Sequence, residues 1–292
     1  HIFGKDAQGY GLTTWDNVGV QYGLEALKQK RISVDEFIDV NRKIGSWKPQ
    51  GQMQKETIWK PFGHKLPIWL SLWGNQNITE LEGGVAKRRL GSIDAMNAAY
   101  RWGQVFIGEV SLPILDVRHY LEGDLDMHHV SASFYSRIRI QKAQGHADNH
   151  VIWMAHKDHD PITPAFKAMD TWLLRNKRLN TQSKPEFLMD TCFSEDGAVV
   201  AQGAGVWDGD WNNKENGECQ LMFPMFSTSR VQAGGEWAGD VFKCRLMSVQ
   251  QAVANGVYQG IDMSAHIQTL ERLFPDGVCD YRQGDVGRPD NL

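Results

Sequence analysis

Two short apolar runs in the middle of the chain, Leu112 to Val117 and Val151 to Ala155, both lead into stretches crowded with carboxylates and imidazoles. The first passes through Asp116-Val117-Arg118-His119-Tyr120 and reaches Asp124-Leu125-Asp126-Met127-His128-His129. The second ends at His156-Lys157-Asp158-His159-Asp160. A carboxylate that holds an imidazole fixes its tautomer and stabilises the cation formed when the ring takes a proton, which is what activates a serine hydroxyl for acyl transfer. An acid followed along the chain by a histidine, each after a strand, is the order in which one class of serine hydrolase presents them, with the nucleophile earlier still. On this reading His128 or His156 is the base and Asp126 or Asp116 orients it. His129, beside the candidate base, would touch substrate.

The nucleophile itself is missing. No Gly-x-Ser-x-Gly elbow occurs in the chain, and Cys192-Phe193-Ser194-Glu195 matches no thiol-protease signature. If the acid and base readings hold, the serine comes from an upstream stretch of polypeptide, in keeping with a chain that begins at His1 rather than Met. Metals fare worse. Asp126-Met127-His128-His129 has ligand types suited to a metal half-site but lacks the helical i, i+4 histidine pair of zinc hydrolases. Asp208-Gly209-Asp210-Trp211-Asn212 opens like a calcium loop, yet Asn213 stands where glycine is needed and Cys219 where glutamate is needed. The glycines near 203–209 and 234–239 follow no phosphate-cradle pattern. No metal or other cofactor is therefore expected.

For the acid and base to meet, the two apolar runs must be adjacent strands of one sheet, and the intervening pattern permits it. Ser92 opens a helix through Met96, Ala99 and Tyr100 to Gly103; the strand through 110–117 follows; residues 131–144 read as a helix, His150 to Ala155 as a strand, and Thr163-Pro164 opens a further helix. The buried face of that helix would be Phe166, Met169, Trp172 and Leu173. Alternation of this kind marks parallel α/β layering. Ahead of it, residues 15–30 and 33–45 read as a helical pair, the second with the capping-box pattern Ser33-Val34-Asp35-Glu36. Residues 46–83 carry no period and several Trp, and read as a lid-like loop whose Trp69 and Trp73 would wall an apolar substrate pocket. Asn77-Ile78-Thr79 fits a glycosylation sequon. Beyond Ser183 the chain turns rich in Gly, Asp and Asn, and a last helix runs from Ser264 to Phe274 ahead of Pro275.

The bulk properties narrow the partners. A net charge of -4 offers no basic field for a polyanion, so nucleic acid is not an expected partner. No apolar stretch is long enough for a membrane span. Cys192, Cys219, Cys244 and Cys279 all fall near the end, and none forms a C-x-x-C pair. Two disulfides of undetermined pairing, and hence an oxidising compartment, are the preferred reading over four free thiols.

Several segments together resemble one family. Trp15 to Leu24, Phe37 to Asn41, Leu112 to Tyr120, Asp126-Met127-His128, Gly145 to Asn149, Asp240 to Cys244 and Phe274 to Tyr281 are similar to those of large exported bacterial proteins of α/β-hydrolase affinity and unknown function. A more distant similarity is to secreted esterases of the tannase and hydroxybutyrate-oligomer type. The resemblance implies a longer precursor with the nucleophile-bearing half N-terminal to this one, export to the periplasm or beyond, and paired cysteines. Asp126 and His128 match the family pattern, whereas His156 and His159 have no place in it. The expected fold is α/β: residues 90–182 as the C-terminal part of a hydrolase-like sheet, residues 1–89 as a helical pair with lid loops, and residues 183–292 as a cysteine-bearing accessory region. The expected function is that of a serine hydrolase cleaving an ester or related acyl bond in a small or oligomeric substrate, completed by the N-terminal part of the same precursor. A lyase or dehydratase on the same fold, or a non-catalytic subunit of an exported complex, are the alternatives.

Overall fold

A computed structural model describes residues 2–54, 57–59, 65–67, 75–124 and 129–292. Trp69, Trp73, Asp126 and His128 lie outside the described residues. In chain order the elements are α1 (Leu24–Lys28), α2 (Val34–Lys43), β1 (Thr57–Trp59), β2 (Lys65–Pro67), β3 (Leu81–Glu82), β4 (Val85–Ala86), α3 (Ile93–Arg101), β5 (Ile114–His119), α4 (Ser131–Gln144), β6 (His150–Ala155), α5 (Ile162–Leu179), β7 (Thr191–Phe193), β8 (Val199–Gln202), α6 (Glu218–Met222), β9 (Cys244–Met247), α7 (Val249–Ala254), α8 (Ile267–Leu273) and β10 (Val278–Asp285). The chain packs as two units: His1–Val105 joins Ser229–Leu292 in the first, and Phe106–Thr228 forms the second. Residue 183 falls inside the second unit, between α5 and β7, and each unit contains one cysteine pair.

The second unit is the α/β layer. Its sheet runs β5-β6-β7-β8, parallel except for the last strand. β5 and β6 pair without a slip from Ile114 opposite His150 to His119 opposite Ala155. Because side chains alternate across a strand, the sheet has two distinct faces. Ile152, Met154 and Cys192 pack with Val130 and Phe134 of the α4 region, Trp207 and Phe223. Val151, Leu115 and Trp153 pack with Leu188 and with Ala168, Met169 and Trp172 of α5. Within α5, Met169 and Trp172 of the expected face pack inward, while Phe166 is 78% and Leu173 49% exposed and Ala165 and Ala168 take the inward places beside them. β5 begins after Pro113 rather than including it, as expected of a ring with no N–H to give the ladder. At the base of the sheet Arg137 grips Asp190 at 2.5 and 2.8 Å, and Asp190 also accepts the Ile152 amide at 2.9 Å. That carboxylate fastens α4, β6 and the approach to β7 at one point, with fork geometry that only arginine supplies.

The first unit holds its helices around Phe37, Leu27, Leu270 and Met263, all buried. The helix expected over 15–30 survives only as the five residues of α1. Gly19 and Gly23 take φ of +77° and +81°, which breaks the helical path ahead of it. Gly19 has no substitute: a Cβ there would lie 2.4 Å from Leu246 and 3.1 Å from the Cys279 amide, and its carbonyl accepts that amide at 2.9 Å. α2 follows its capping box, with Ser33 accepting from Glu36 N and Glu36 reaching back to Ser33 N. β9 and β10 pair antiparallel. Arg88 is the unit's central cation. It donates to the carbonyls of Asn17, Val20 and Asn41 and to Asn41 Oδ1, and lies over the rings of Tyr22 and Phe274. Burial among these partners lowers its pKa to about 10. Asn77 is buried with both ends of its amide bonded to the Gln54 backbone, so this sequon carries no accessible acceptor.

The cysteines pair as Cys192–Cys219 and Cys244–Cys279, closing loops of 27 and 35 residues. The first ties β7 to α6, the second β9 to β10. Loop-closure entropy assigns each roughly 3–4 kcal/mol. Replacing Cys244 and Cys279 together by Ala should lower the unfolding free energy by about that amount, measured by denaturant titration, and thiol counting in denaturant without reductant should find none in the parent protein. A loss below about 1 kcal/mol, or titratable thiols, would contradict the pairing.

Candidate active site

Loops that leave the carboxyl ends of parallel strands are where open α/β sheets carry their reactive groups. In the second unit those ends belong to β5, β6 and β7, and what gathers there follows from the β5–β6 register. His119 is the last residue of β5 and sits opposite Ala155, the last of β6. One residue on, the Tyr120 amide donates to the Ala155 carbonyl and the His156 amide to the Phe193 carbonyl, each near 3 Å, so the ladder continues into the loops. His156 therefore leaves the sheet at a fixed point, and the turn closes with the His159 amide on the His156 carbonyl.

The histidines there are held differently. His119 Nε2 lies 2.8 Å from the His159 carbonyl oxygen. A carbonyl only accepts, so the proton sits on Nε2 and the lone pair of the neutral ring on Nδ1. The His159 ring leans on Phe193 at 5.7 Å and lies beneath the turn through Gly197, where a Cβ would come within 2.5 Å of it. Since Gly197 also has φ of +82°, glycine is required there twice over. His156 is about one-third exposed, with Nδ1 3.6 Å from Asp158 Oδ2. Lys157 pairs with Asp124 at 2.8 Å, joining the loop after β6 to that after β5. Asp160 is committed to the first turn of α5, accepting the Ile162 amide. Ser194, nearby in sequence, has its hydroxyl on Asp196. Among the described residues of the cluster, no hydroxyl is hydrogen-bonded to an imidazole.

The other candidate residues are placed elsewhere. Asp116 lies inside β5, its Oδ2 3.5 Å from Nε2 of the buried His150 and its Oδ1 3.5 Å from Arg118. Burial alone would raise its pKa, but His150, the Ser133 hydroxyl and Arg118 together hold it below the usual aspartate value. The structure thus brings Asp116 to His150 and not to His156. His129 sets its ring edge-on to Phe226 at 6.0 Å. Asp126 and His128 fall in the undescribed stretch between Asp124 and His129. Two groups of the site were not singled out from the residue pattern. His119 is one; its strand-end position was visible, but the carbonyl that fixes its tautomer comes from forty residues away. Glu122 is the other. It is 2% exposed, Oε1 accepts the Val130 amide at 2.9 Å, and the Phe226 backbone lies against the same carboxyl. Nothing in an isolated glutamate after a strand signals such burial. Groups of three or more metal-ligating side chains do not occur among the described residues.

Residues 1–290 match the model of the Tannase-like family of unknown function (DUF6351), and the chain belongs to that family. No curated protein and no solved structure matches it. Membership suggests an esterase or hydrolase relationship without supplying a substrate.

Glu122 gives a direct test of the electrostatics. Burial raises its pKa, and the Val130 amide, the neighbouring His129, the Phe226 amide and Arg118 only partly offset that. A carboxyl whose folded pKa is raised contributes stability that is present at low pH and lost as pH rises through the folded value. Glu122→Gln keeps the acceptor for Val130 and removes the ionisation. At pH 8 the variant should melt higher than the parent, by roughly 2–4 °C for each kcal/mol relieved, with the gap closing near pH 4. A variant that melts lower by the same amount at both pH values would contradict this assignment.

Proposed function

We propose that this member of the tannase-like family supplies the acid–base half of an acyl-ester hydrolase, and that a preceding part of the same polypeptide supplies the nucleophile and completes the sheet along β5. The observation that carries the reading is the gathering of His119, His156 and His159 at the carboxyl ends of adjacent parallel strands, with Asp158 beside His156. His156 is the base within the described residues: its backbone is pinned, its ring is accessible, and Asp158 lies against its Nδ1 with the backbone amide at 3.4 Å and the carboxylate at 3.6 Å. His128, outside the described residues, is the alternative base, with Asp126 as its orienter. In the reaction the serine oxygen attacks the ester carbonyl while the imidazole takes its proton. The resulting imidazolium then protonates the departing alkoxide, and water repeats the cycle on the acyl-enzyme.

The open edge of β5 supports the second part of the proposal. The Ile114 amide donates to Asn149 and that of Tyr120 to Ala155, so even-numbered residues face β6. In a parallel strand the odd-numbered ones, Leu115, Val117 and His119, then present their amides and carbonyls to the other side. β5 is the first strand of its sheet among the described residues. Edge groups of a parallel strand are rarely left to water. The two disulfides fit a non-cytoplasmic compartment, and we place the protein in the periplasm or outside the cell.

The test is covalent and kinetic. The full translation product, incubated with a fluorophosphonate, should be labelled on a serine ahead of His1 and should hydrolyse p-nitrophenyl acetate. His156→Ala should lower kcat/KM by roughly 10²–10⁴-fold with the melting temperature unchanged. Absence of both labelling and hydrolysis would overturn the hydrolase reading. Hydrolysis lost in His128→Ala and retained in His156→Ala would move the base to His128.

A further inference from the structure

The acyl chemistry assigned to the second unit leaves a groove of the first without a role. It encloses about 880 Å³ and is formed by residues 14–17, 44–47, Tyr22, Ile78 and the stretch Ser229-Arg230 with Phe242. Its floor is aromatic. Trp15 leans on Trp47 with ring centroids 5.7 Å apart and planes 37° apart, and 46% of Trp15 remains exposed. Tyr22 and Phe242 extend the same surface. A large indole left half in water beside three other aromatic rings is a surface prepared for contact rather than a stray apolar residue.

The polar groups of the groove identify what it would contact. The hydroxyls of Thr14, Ser46 and Ser229 line it and have no hydrogen-bond partner among the described residues. Asn17 is fully used, on Tyr22, Gly45 and Arg89. Asp16 is buried; its Oδ2 takes Gly91 N and Lys243 Nζ, but Oδ1 is unpartnered. That oxygen is shut off from solvent, with the Asp16 side chain only 1% exposed, so the carboxylate belongs to the wall behind the groove and the three hydroxyls are its polar surface. Asp16 is matched by Lys243 at 2.6 Å, which leaves Arg230, already donating to the Asp16 backbone carbonyl, as the one unbalanced charge of the lining. A flat aromatic ligand would cover the indoles and leave three hydroxyls unanswered. An anion would meet a single guanidinium that already donates to a backbone carbonyl.

We propose that this groove binds a neutral saccharide, its C–H faces against Trp15 and Trp47 and its hydroxyls on Thr14, Ser46 and Ser229. The volume lies within the range that takes a ligand of several rings, so the site would hold a short oligosaccharide. It is independent of the hydrolase reading, since none of its residues belongs to the second unit.

Isothermal titration with cellohexaose, xylohexaose, maltohexaose and chitohexaose tests this. At least one should bind with Kd on the order of 10⁻⁵–10⁻³ M and change the tryptophan fluorescence. Trp15→Ala should weaken that binding tenfold or more, and Trp15→Tyr, which keeps a stacking face, should fall between. Failure of all four to bind the unmodified protein at millimolar concentration would overturn the proposal, whatever the variants do. Binding that Trp15→Ala leaves unchanged would overturn it equally.

Discussion

The parallel pairing of β5 with β6 is the constraint on which the proposed site depends. Six residues in register bring two strand ends level, and every reactive group at that end takes its position from them. A slip of one residue would invert the faces, sending Leu115 and Val151 away from Trp172 and pulling Ile152 and Met154 off Phe134. The register is defended at the other end by Asp190, which accepts from Arg137 and from the Ile152 amide. Asp116 belongs to the same defence: facing His150 across the strand pair, it ties β5 to β6 halfway along. A carboxylate placed there stabilises the sheet that presents the histidines without touching them.

The first unit solves a different problem. Its elements are short, and irregular chain links them, so carbonyl groups must be satisfied without a ladder. Arg88 does this for Asn17, Val20 and Asn41 at once, and its two aromatic neighbours replace a counterion. Asn41 repeats the device on a smaller scale, bonding both the amide and the carbonyl of Tyr22. The Cys244–Cys279 bridge then closes the strand pair that Gly19 approaches too closely for any side chain. Single polar side chains and one covalent link stand where a larger sheet would otherwise be needed.

Local signals were legible where local chemistry decides. The capping box at Ser33, the Ser92 cap, the strand His150–Ala155, the helix over 131–144 and the stop at Pro275 all read from the residues because cap, period and breaker lie within a turn of the element. Signals failed where tertiary contacts decide. Residues 15–30 carry a helical spacing, but Gly19 is claimed by Cys279 and the helix shrinks to five residues. On α5 the expected face was right at Met169 and Trp172, but Phe166 and Leu173 point outward because packing against Leu188 and Val151 turns Ala165 and Ala168 inward instead. The site was legible as a place, the two strand ends, and less so as a set of partners. The tautomer of His119 and the burial of Glu122 come from residues distant in the chain or enclosed by packing, which spacing does not encode. Which cysteines pair was open for the same reason.

If β5 is an inner strand of a larger sheet, as proposed, its open side is covered by a preceding part of the polypeptide. Amide hydrogen exchange tests this most directly. In the 292-residue chain the amides of Leu115, Val117 and His119 should exchange rapidly, while those of Asp116 and Arg118, bonded to β6, remain slow. In the full translation product all five should be slow. Rapid exchange of the odd-numbered three in both proteins would leave β5 as a true edge and contradict the account.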